Sequence, residues 1–342
     1  MAKTVCFGEI MLRLGAPGFE RLFQSPVLQA TFGGGEANVA VSLAHFGCDS
    51  HYVTRLPATL IGEAALRALR AEGVRVDHVL RGGSRLGIYF TETGASQRAS
   101  TVIYDRRPSA ISELEPGQVP WAEVLDGAAW FHCTGITPAL SQTAAECTCE
   151  AIRAARRAGV RVSVDLNYRS KLWSAADAQK TMRPLMPLVD VLIANEEDLQ
   201  AALGIEVPHA NVTSGTLDVY SYRTAAEHVA TAFGVPLVAV TLRESLSASD
   251  NAWSAVLFEA DTKTLHQSQR YVVRLVDRIG GGDGFAAGLI YSLLSGHDHE
   301  AALRFAVAAS ALKQTIPGDF NRVTVNEVDR LVSGDASGRV RR

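Results

Sequence analysis

DRIGGGDGFAAGLIYSLL, residues 277–294, sets three consecutive glycines and an aspartate against a long apolar run. Glycines in series carry a high entropic cost on folding, so something requires that backbone. RYVVRLVD (270–277) reads as a strand and GFAAGLIYSLL (284–294) as a helix. Gly280, Gly281 and Gly282 then occupy a strand-to-helix turn. The first amides of a helix have no partner within it and lie at the positive end of its dipole. Without Cβ atoms in the way, a phosphate-sized anion can come close. Asp283 follows at the first helical turn and reads in two ways. It is either an N-cap, worth about 1 kcal/mol, or a base that takes the proton of a hydroxyl attacking a phosphate. Taken alone, the stretch leaves both open. Two other glycine motifs fail: a Walker loop needs Gly-Lys-Ser/Thr, and a dinucleotide fingerprint needs a third glycine where Phe285 stands.

Outward from this turn the chain alternates strand and helix. TVCFG (4–8), SHYVTRL (50–56), AAWFHCTG (128–135), VRVSVDLN (160–167), the start of VDVLIANEED (189–198) and PLVAVTL (236–242) read as strands. Between them lie helical stretches such as GGGEANVAVSLAHFG (33–47), whose Val39, Leu43 and Phe46 share one face. This rhythm predicts an α/β fold, three layers with a mostly parallel sheet between helices. It breaks at GIYFTE (87–92) and STVIYDR (100–106), two β-rich runs around the turn-forming TGASQ. The hairpin, with the extended segment Met11 to Thr31, predicts a small projecting sheet. The expected division is a core of 1–10, 33–84 and 112–335, a β lid of 11–32 and 85–111, and a tail of 336–342. Ile88, Phe90, Val102 and Tyr104 are expected to give the lid an exposed apolar face, which needs burial. Pairing of two lids in a homodimer is the simplest answer.

The chain has 342 residues, 20% of them charged, with a formal net charge of −3. That balance argues against nucleic acid as a partner. The five cysteines form no CxxC pair and their number is odd, which suits a reducing compartment. The N-terminus lacks a signal-like apolar region and no stretch is long enough to span a bilayer. A cytoplasmic protein without a membrane partner is expected.

The segment 277–285, DRIGGGDGF, resembles the C-terminal signature of the ribokinase-like (PfkB) carbohydrate kinases, D-T-x-G-A-G-D-x-F, with Arg278 where the family has threonine. FGGGEANVAVSLAHFG resembles the family's N-terminal signature, and ANEED (194–198) its N-x-x-E magnesium and phosphate motif. The projecting sheet matches the family's lid. Within the family, GEIMLRL, FGGGEANVA, RLGIYFTETGASQR, VIYDR, DLNYRSKLW, DRIGGGD and KQTIPGDF are similar to segments of 2-keto-3-deoxygluconate kinases. The resemblance implies a ribokinase-like fold and ATP-dependent phosphorylation of the 6-hydroxyl of that sugar acid.

It also implies roles. Asp283 would be the base, and the amides of Gly280, Gly281 and Gly282 would hold the moving phosphoryl. Gly34 and Gly35 would let the turn approach the sugar, with Asn38 bonding a hydroxyl or a water. Tyr89, Tyr104, Arg106, Arg169 and Asp319 would face the substrate, the arginines taking its carboxylate. Asn195, Thr241, Arg243 and Ser245 would approach ATP, and Asp198 would hold Mg²⁺ through water. The HDH stretch (297–299) reads as a solvated loop. A kinase of fructose, ribose or a nucleoside, and a silent sugar sensor on the same fold, are the alternatives. The sensor reading predicts loss of Asp283 or its glycines, which are present.

Overall fold

A computed structural model describes residues 1–207 and 219–335. The expected tail of 336–342, and all but Val207 of an expected loop at 207–215, lie outside the described residues. Strand β1 (Lys3–Phe7) is followed by β2 (Met11–Gly15), β3 (Gln29–Gly33) and helix α1 (Gly35–His45). Next come β4 (Asp49–Val53), β5 (Arg55–Leu56), α2 (Leu60–Ala71) and β6 (Leu80–Arg81). The hairpin β7 (Ile88–Glu92) and β8 (Thr101–Asp105) precedes α3 (Trp121–Val124), β9 (Ala128–Thr134), α4 (Gln142–Arg157) and β10 (Arg161–Asp165). Then follow α5 (Ala175–Met182), β11 (Val191–Ala194), α6 (Glu196–Asp198) and α7 (Val219–Phe233). The chain closes with β12 (Leu237–Ser245), β13 (Asp250–Glu259), β14 (Thr264–Gln267), β15 (Tyr271–Arg274), α8 (Gly281–Leu294), α9 (His299–Lys313) and α10 (Val325–Val332).

The large sheet runs β14-β13-β12-β11-β10-β9-β1-β4, with β15 also paired to β13. From β4 to β12 every pairing is parallel, and β13 then turns antiparallel. A parallel sheet is covered on both faces, which is why its strands read as unbroken apolar runs. Alternate residues of β1 divide the core in two. Val5 and Phe7 join Ile152 of α4 and Val229 of α7 on one side. Cys6 joins Leu43 of α1, Leu289 of α8 and Val307 of α9 on the other. The α/β expectation is met. Among the described residues no helix is long and apolar enough to cross a membrane, and all five cysteines are free.

A second sheet of four strands has the order β3-β2-β7-β8, with β2 and β7 parallel. Its register corrects the expected apolar face. Tyr89 pairs with Tyr104 and Thr91 with Val102, so Tyr104 and Val102 look toward the large sheet. The outer face instead carries Leu14, Ile88, Phe90 and Ile103, with Phe23 leaning on Phe90 at 6.1 Å. The register decides the face, since a shift of one residue exchanges the two.

The strand before the glycines is also shorter than expected. β15 stops at Arg274 and is an antiparallel edge strand, so six residues, 275–280, separate it from α8. The stretch 195–203 is not a single α-helix: α6 has three residues and passes into a π-helical turn at Leu199–Leu203.

Candidate active site

The carboxyl ends of β9, β10 and β11 open on a cleft of about 420 Å³. The chain runs from β1 outward to β4 and later returns to lay β9 on the other side of β1. Such reversals in strand order leave a crevice at the strand ends, and the N-termini of α1 and α8 both enter this one.

Gly280 caps α8 in the left-handed region, φ 85°, and a Cβ there would overlap the carbonyl oxygen of Asp319. Glycine is obligatory at that position. Gly281, Gly282 and Asp283 are the first three helical residues, so Asp283 is not the N-cap, and that reading falls. The Gly281 amide has only a long bond of 3.4 Å to the Arg278 carbonyl. Among the described residues the amides of Gly282 and Asp283 have no backbone acceptor, and a Cβ on Gly282 would meet nothing within 4 Å. The turn therefore faces open space with free donors, as an anion cradle must.

Asp283 is 9% exposed. Its Oδ2 accepts a 2.7 Å hydrogen bond from Asn38 Nδ2, and Asn38 Oδ1 accepts from the Gly34 amide at 3.3 Å. Asn38 lines the cleft, and it spends one of its two amide N–H groups on this carboxylate. Burial pushes Asp283 up to about 6, and the Asn38 bond works against that rise. Gly34 is needed for packing, because a Cβ would overlap the Glu9 carbonyl oxygen. Gly35 lines the cleft.

Three groups of charges surround this pair. The small sheet is tied down by Arg13 of β2, which bonds Asp277 at 2.6 Å and Asp319 at 2.7 Å. The Tyr89 hydroxyl donates to the second Asp319 oxygen at 2.6 Å. Asp319 and Tyr89 line the cleft as expected of substrate contacts, yet their polar atoms are already engaged. Arg106 is 6% exposed and ion-paired with buried Glu9. Its Nε and Nη2 both go to one Glu9 oxygen, and the residue still lines the cleft, as expected of a substrate contact. Tyr104 stands beside it, with the guanidinium 5.3 Å from the ring centre.

On the far wall, Asp165 ends β10 and Asp198 ends α6. Asp198 accepts from the amides of Tyr168 at 2.8 Å and Asn195 at 3.1 Å, while Asn195 Oδ1 accepts from the Asp198 amide at 2.8 Å. Burial drives Asp198 up to about 6. Asp165 is held well above the usual carboxylate range by burial, then by the charges of Asp198 and Asp283. Arg169 offsets this only in part, which leaves an acid cluster still short of positive charge. It fits a divalent cation, which Asp198 would reach through water because its oxygens already take amides.

Arg169, Arg243 and Arg278 line the cleft, and among the described residues none has a carboxylate within salt-bridge distance. Arg278 Nε is buried without a hydrogen-bond partner. Burial and then the neighbouring Arg243 lower its pKa. Thr241 joins them on the cleft wall. Ser245 does not. It shares a face of β12 with Thr241 and Arg243, but that strand has run beyond the cleft by then, leaving Ser245 exposed.

Glu9, Asp165 and Arg278 were not assigned from sequence. An acid at or just past the end of an apolar strand is the available signal for Asp165 and Glu9. No local signal marks Arg13 and Asp277 as partners across 264 positions.

The chain is similar to known proteins along most of its length. Residues 1–322 match the family model described as pfkB family carbohydrate kinase. The chain is 35% identical over 340 residues to the 2-dehydro-3-deoxygalactonokinase of Haloferax volcanii, covering 98% of each. It is 28% identical to the 2-dehydro-3-deoxygluconokinase of Bacillus subtilis, over 95% of this chain and 93% of that one. The crystal structure of a 2-dehydro-3-deoxygluconokinase from Thermotoga maritima superimposes with a TM-score of 0.93 at 48% identity, covering 98% of this chain and 100% of that one.

The Asn38–Asp283 bond makes a direct prediction. Asn38→Ala removes a donor to the charged carboxylate, so the Asp283 midpoint, near 6, should move upward. Carbon-detected NMR titration of the Asp283 carboxyl reads this; an unmoved midpoint would show that Asn38 does not tune it.

Proposed function

The chain belongs to the pfkB family of carbohydrate kinases, and from that premise we propose that it phosphorylates 2-keto-3-deoxygluconate at its 6-hydroxyl, with ATP as donor. One observation carries the reading. A buried carboxylate, aimed by Asn38, stands beside free amides at the open mouth of α8.

The chemistry follows from that geometry. The substrate hydroxyl oxygen attacks the terminal phosphorus of ATP, and its proton passes to Asp283. A new oxygen–phosphorus bond forms as the bond to the bridging oxygen of ATP breaks, releasing ADP. The amides of Gly282 and Asp283, with that of Gly281, face the phosphoryl oxygens as their charge shifts. Arg243, Arg278 and Thr241 hold the ATP phosphates. Mg²⁺, bound through water beside Asp198 and Asn195, would neutralise phosphate charge. The small sheet serves as the lid over the sugar, and Tyr89, Tyr104, Arg106 and Asp319 form a prearranged polar wall.

The substrate carboxylate needs a cation. Arg106 and Arg169 both line the cleft, and Arg169, with no carboxylate within salt-bridge distance among the described residues, is the freer of the two to take it. The galactonate-derived epimer is the second acid to test, because one relative carries that name.

The reading brings with it a cytoplasmic location, since ATP is a substrate. It also accords with a homodimer through the outer face of the small sheet, where Ile103 is 50% and Phe23 72% exposed. Sedimentation at micromolar concentration should give a dimer, and Ile103→Asp a monomer; a monomeric parent protein refutes the pairing.

Asp283→Asn should lower kcat by at least about 10³-fold with the fold retained, since the base is lost while the shape is kept. In the parent protein the base is active when ionised, so kcat/KM, which reports the free enzyme, should fall as pH drops through about 6. Turnover that survives Asp283→Asn in a coupled ADP assay would remove the base assignment.

Arg169→Ala should raise KM for 2-keto-3-deoxygluconate by about 10–100-fold, the range of a charge-assisted bond. KM for fructose or ribose should stay put. Preference of the parent enzyme for either neutral sugar would overturn the substrate.

A further inference from the structure

Glu259, His266 and His299 meet at the end of the large sheet remote from the cleft. Glu259 closes β13, His266 lies in β14, and His299 opens α9. His266 pairs with Leu257, so it lies on the same sheet face as Glu259, two residues farther along. That face is the one packed on α9, since Leu257 joins the core formed with Val307 and Phe305. The HDH stretch is therefore not simply a solvated loop. Asp298 caps α9 by accepting from the Ala301 amide at 2.8 Å, His297 turns back to Ser292 Oγ at 2.8 Å, and His299 points at Glu259.

The spacing is that of metal ligands. His299 Nδ1 lies 3.1 Å and His266 Nε2 3.7 Å from the same Glu259 oxygen. One donor atom from each residue lies within 4.8 Å of the other two. Tetrahedral Zn²⁺ with bonds of about 2.0–2.1 Å separates its ligands by about 3.3–3.4 Å. His266 Nε2 supplies the second observation. It is buried and has no hydrogen-bond partner, although a buried ring nitrogen needs one. At 3.7 Å the carboxylate is too far to be that partner. A cation between the three would satisfy the nitrogen and use the carboxylate charge.

We propose that Glu259, His266 and His299 form a binding site for a borderline divalent metal of the Zn²⁺ class, with a fourth position open to water. Two imidazoles and one carboxylate suit such an ion, whereas Mg²⁺ and Ca²⁺ prefer an all-oxygen shell. The site is structural. Trp253 of β13 lines the cleft, and Glu259 lies six residues along the same strand, roughly 20 Å away at strand spacing. The metal joins the edge strand β14 and its neighbour β13 to the start of α9. It does not touch the reacting groups.

The test uses the full-length protein stripped of metal by chelator and titrated with Co²⁺ as a visible probe, then with Zn²⁺. The expected result is saturation at one Co²⁺ per chain, with visible absorption of tetrahedral type that Zn²⁺ abolishes. Zn²⁺ should also raise Tm by a few degrees. His266→Ala and His299→Ala should each weaken Co²⁺ binding at least about tenfold, and the double variant should lose the absorption. Absence of saturable binding at micromolar Co²⁺, or absorption that persists in the double variant, overturns the site. Circular dichroism checks the double variant for folding. If it fails to fold, the near-isosteric Glu259→Gln decides, and unchanged Co²⁺ affinity there refutes the proposal.

Discussion

The hydrogen bond from Asn38 to Asp283 is the interaction on which the arrangement of this cleft rests. It joins the first turns of α1 and α8 across 245 positions of sequence. Both helices enter through glycine, α1 because Gly34 passes against the Glu9 carbonyl and α8 because Gly280 is left-handed. The two termini can thus stand side by side with no side chain between them and the cleft. Asn38 is held in turn by the Gly34 amide, so the carboxylate inherits its aim from backbone. The same contact moderates its ionisation. Burial alone favours the neutral acid, and a donor on one oxygen restores part of the charged form.

Around that pair the buried charges are settled among themselves. Arg13 spans Asp277 and Asp319, Tyr89 closes on Asp319, and Arg106 meets Glu9. Arg13, Tyr89 and Arg106 come from the small sheet or its edge, and their partners from the body of the molecule. Removing one member of a buried ion pair strands the other, at about 3–5 kcal/mol. These contacts therefore set where the small sheet sits, whatever each adds to net stability. Arg169, Arg243 and Arg278, with the acids Asp165 and Asp198, stand outside these pairs and line the cleft. Charge complementarity there is completed only by what binds.

Much of this was legible in the chain. The alternation of apolar runs announced the layered α/β fold, because strands covered on both faces need continuous apolar sequence. The triple glycine beside Asp283 announced an anion cradle, because amide geometry at a helix start is local. Local reasoning failed where an answer needed register or distance. Val102 and Tyr104 were put on the outer face of the small sheet, although their pairing with Thr91 and Tyr89 turns them inward. Nothing in the segment around Arg106 shows that Glu9, 97 positions earlier, takes its Nε and Nη2. His299 was read as part of a solvated loop, although α9 begins there and turns it toward β13.

The sequence by itself determined the kind of elements and the chemistry at helix starts, since both follow from periodicity and from backbone groups within a few residues of each other. Tertiary structure alone decided which charges remain free and which face each side chain presents. Those depend on partners hundreds of residues apart, and no short segment holds the information on which of its charges another segment will neutralise.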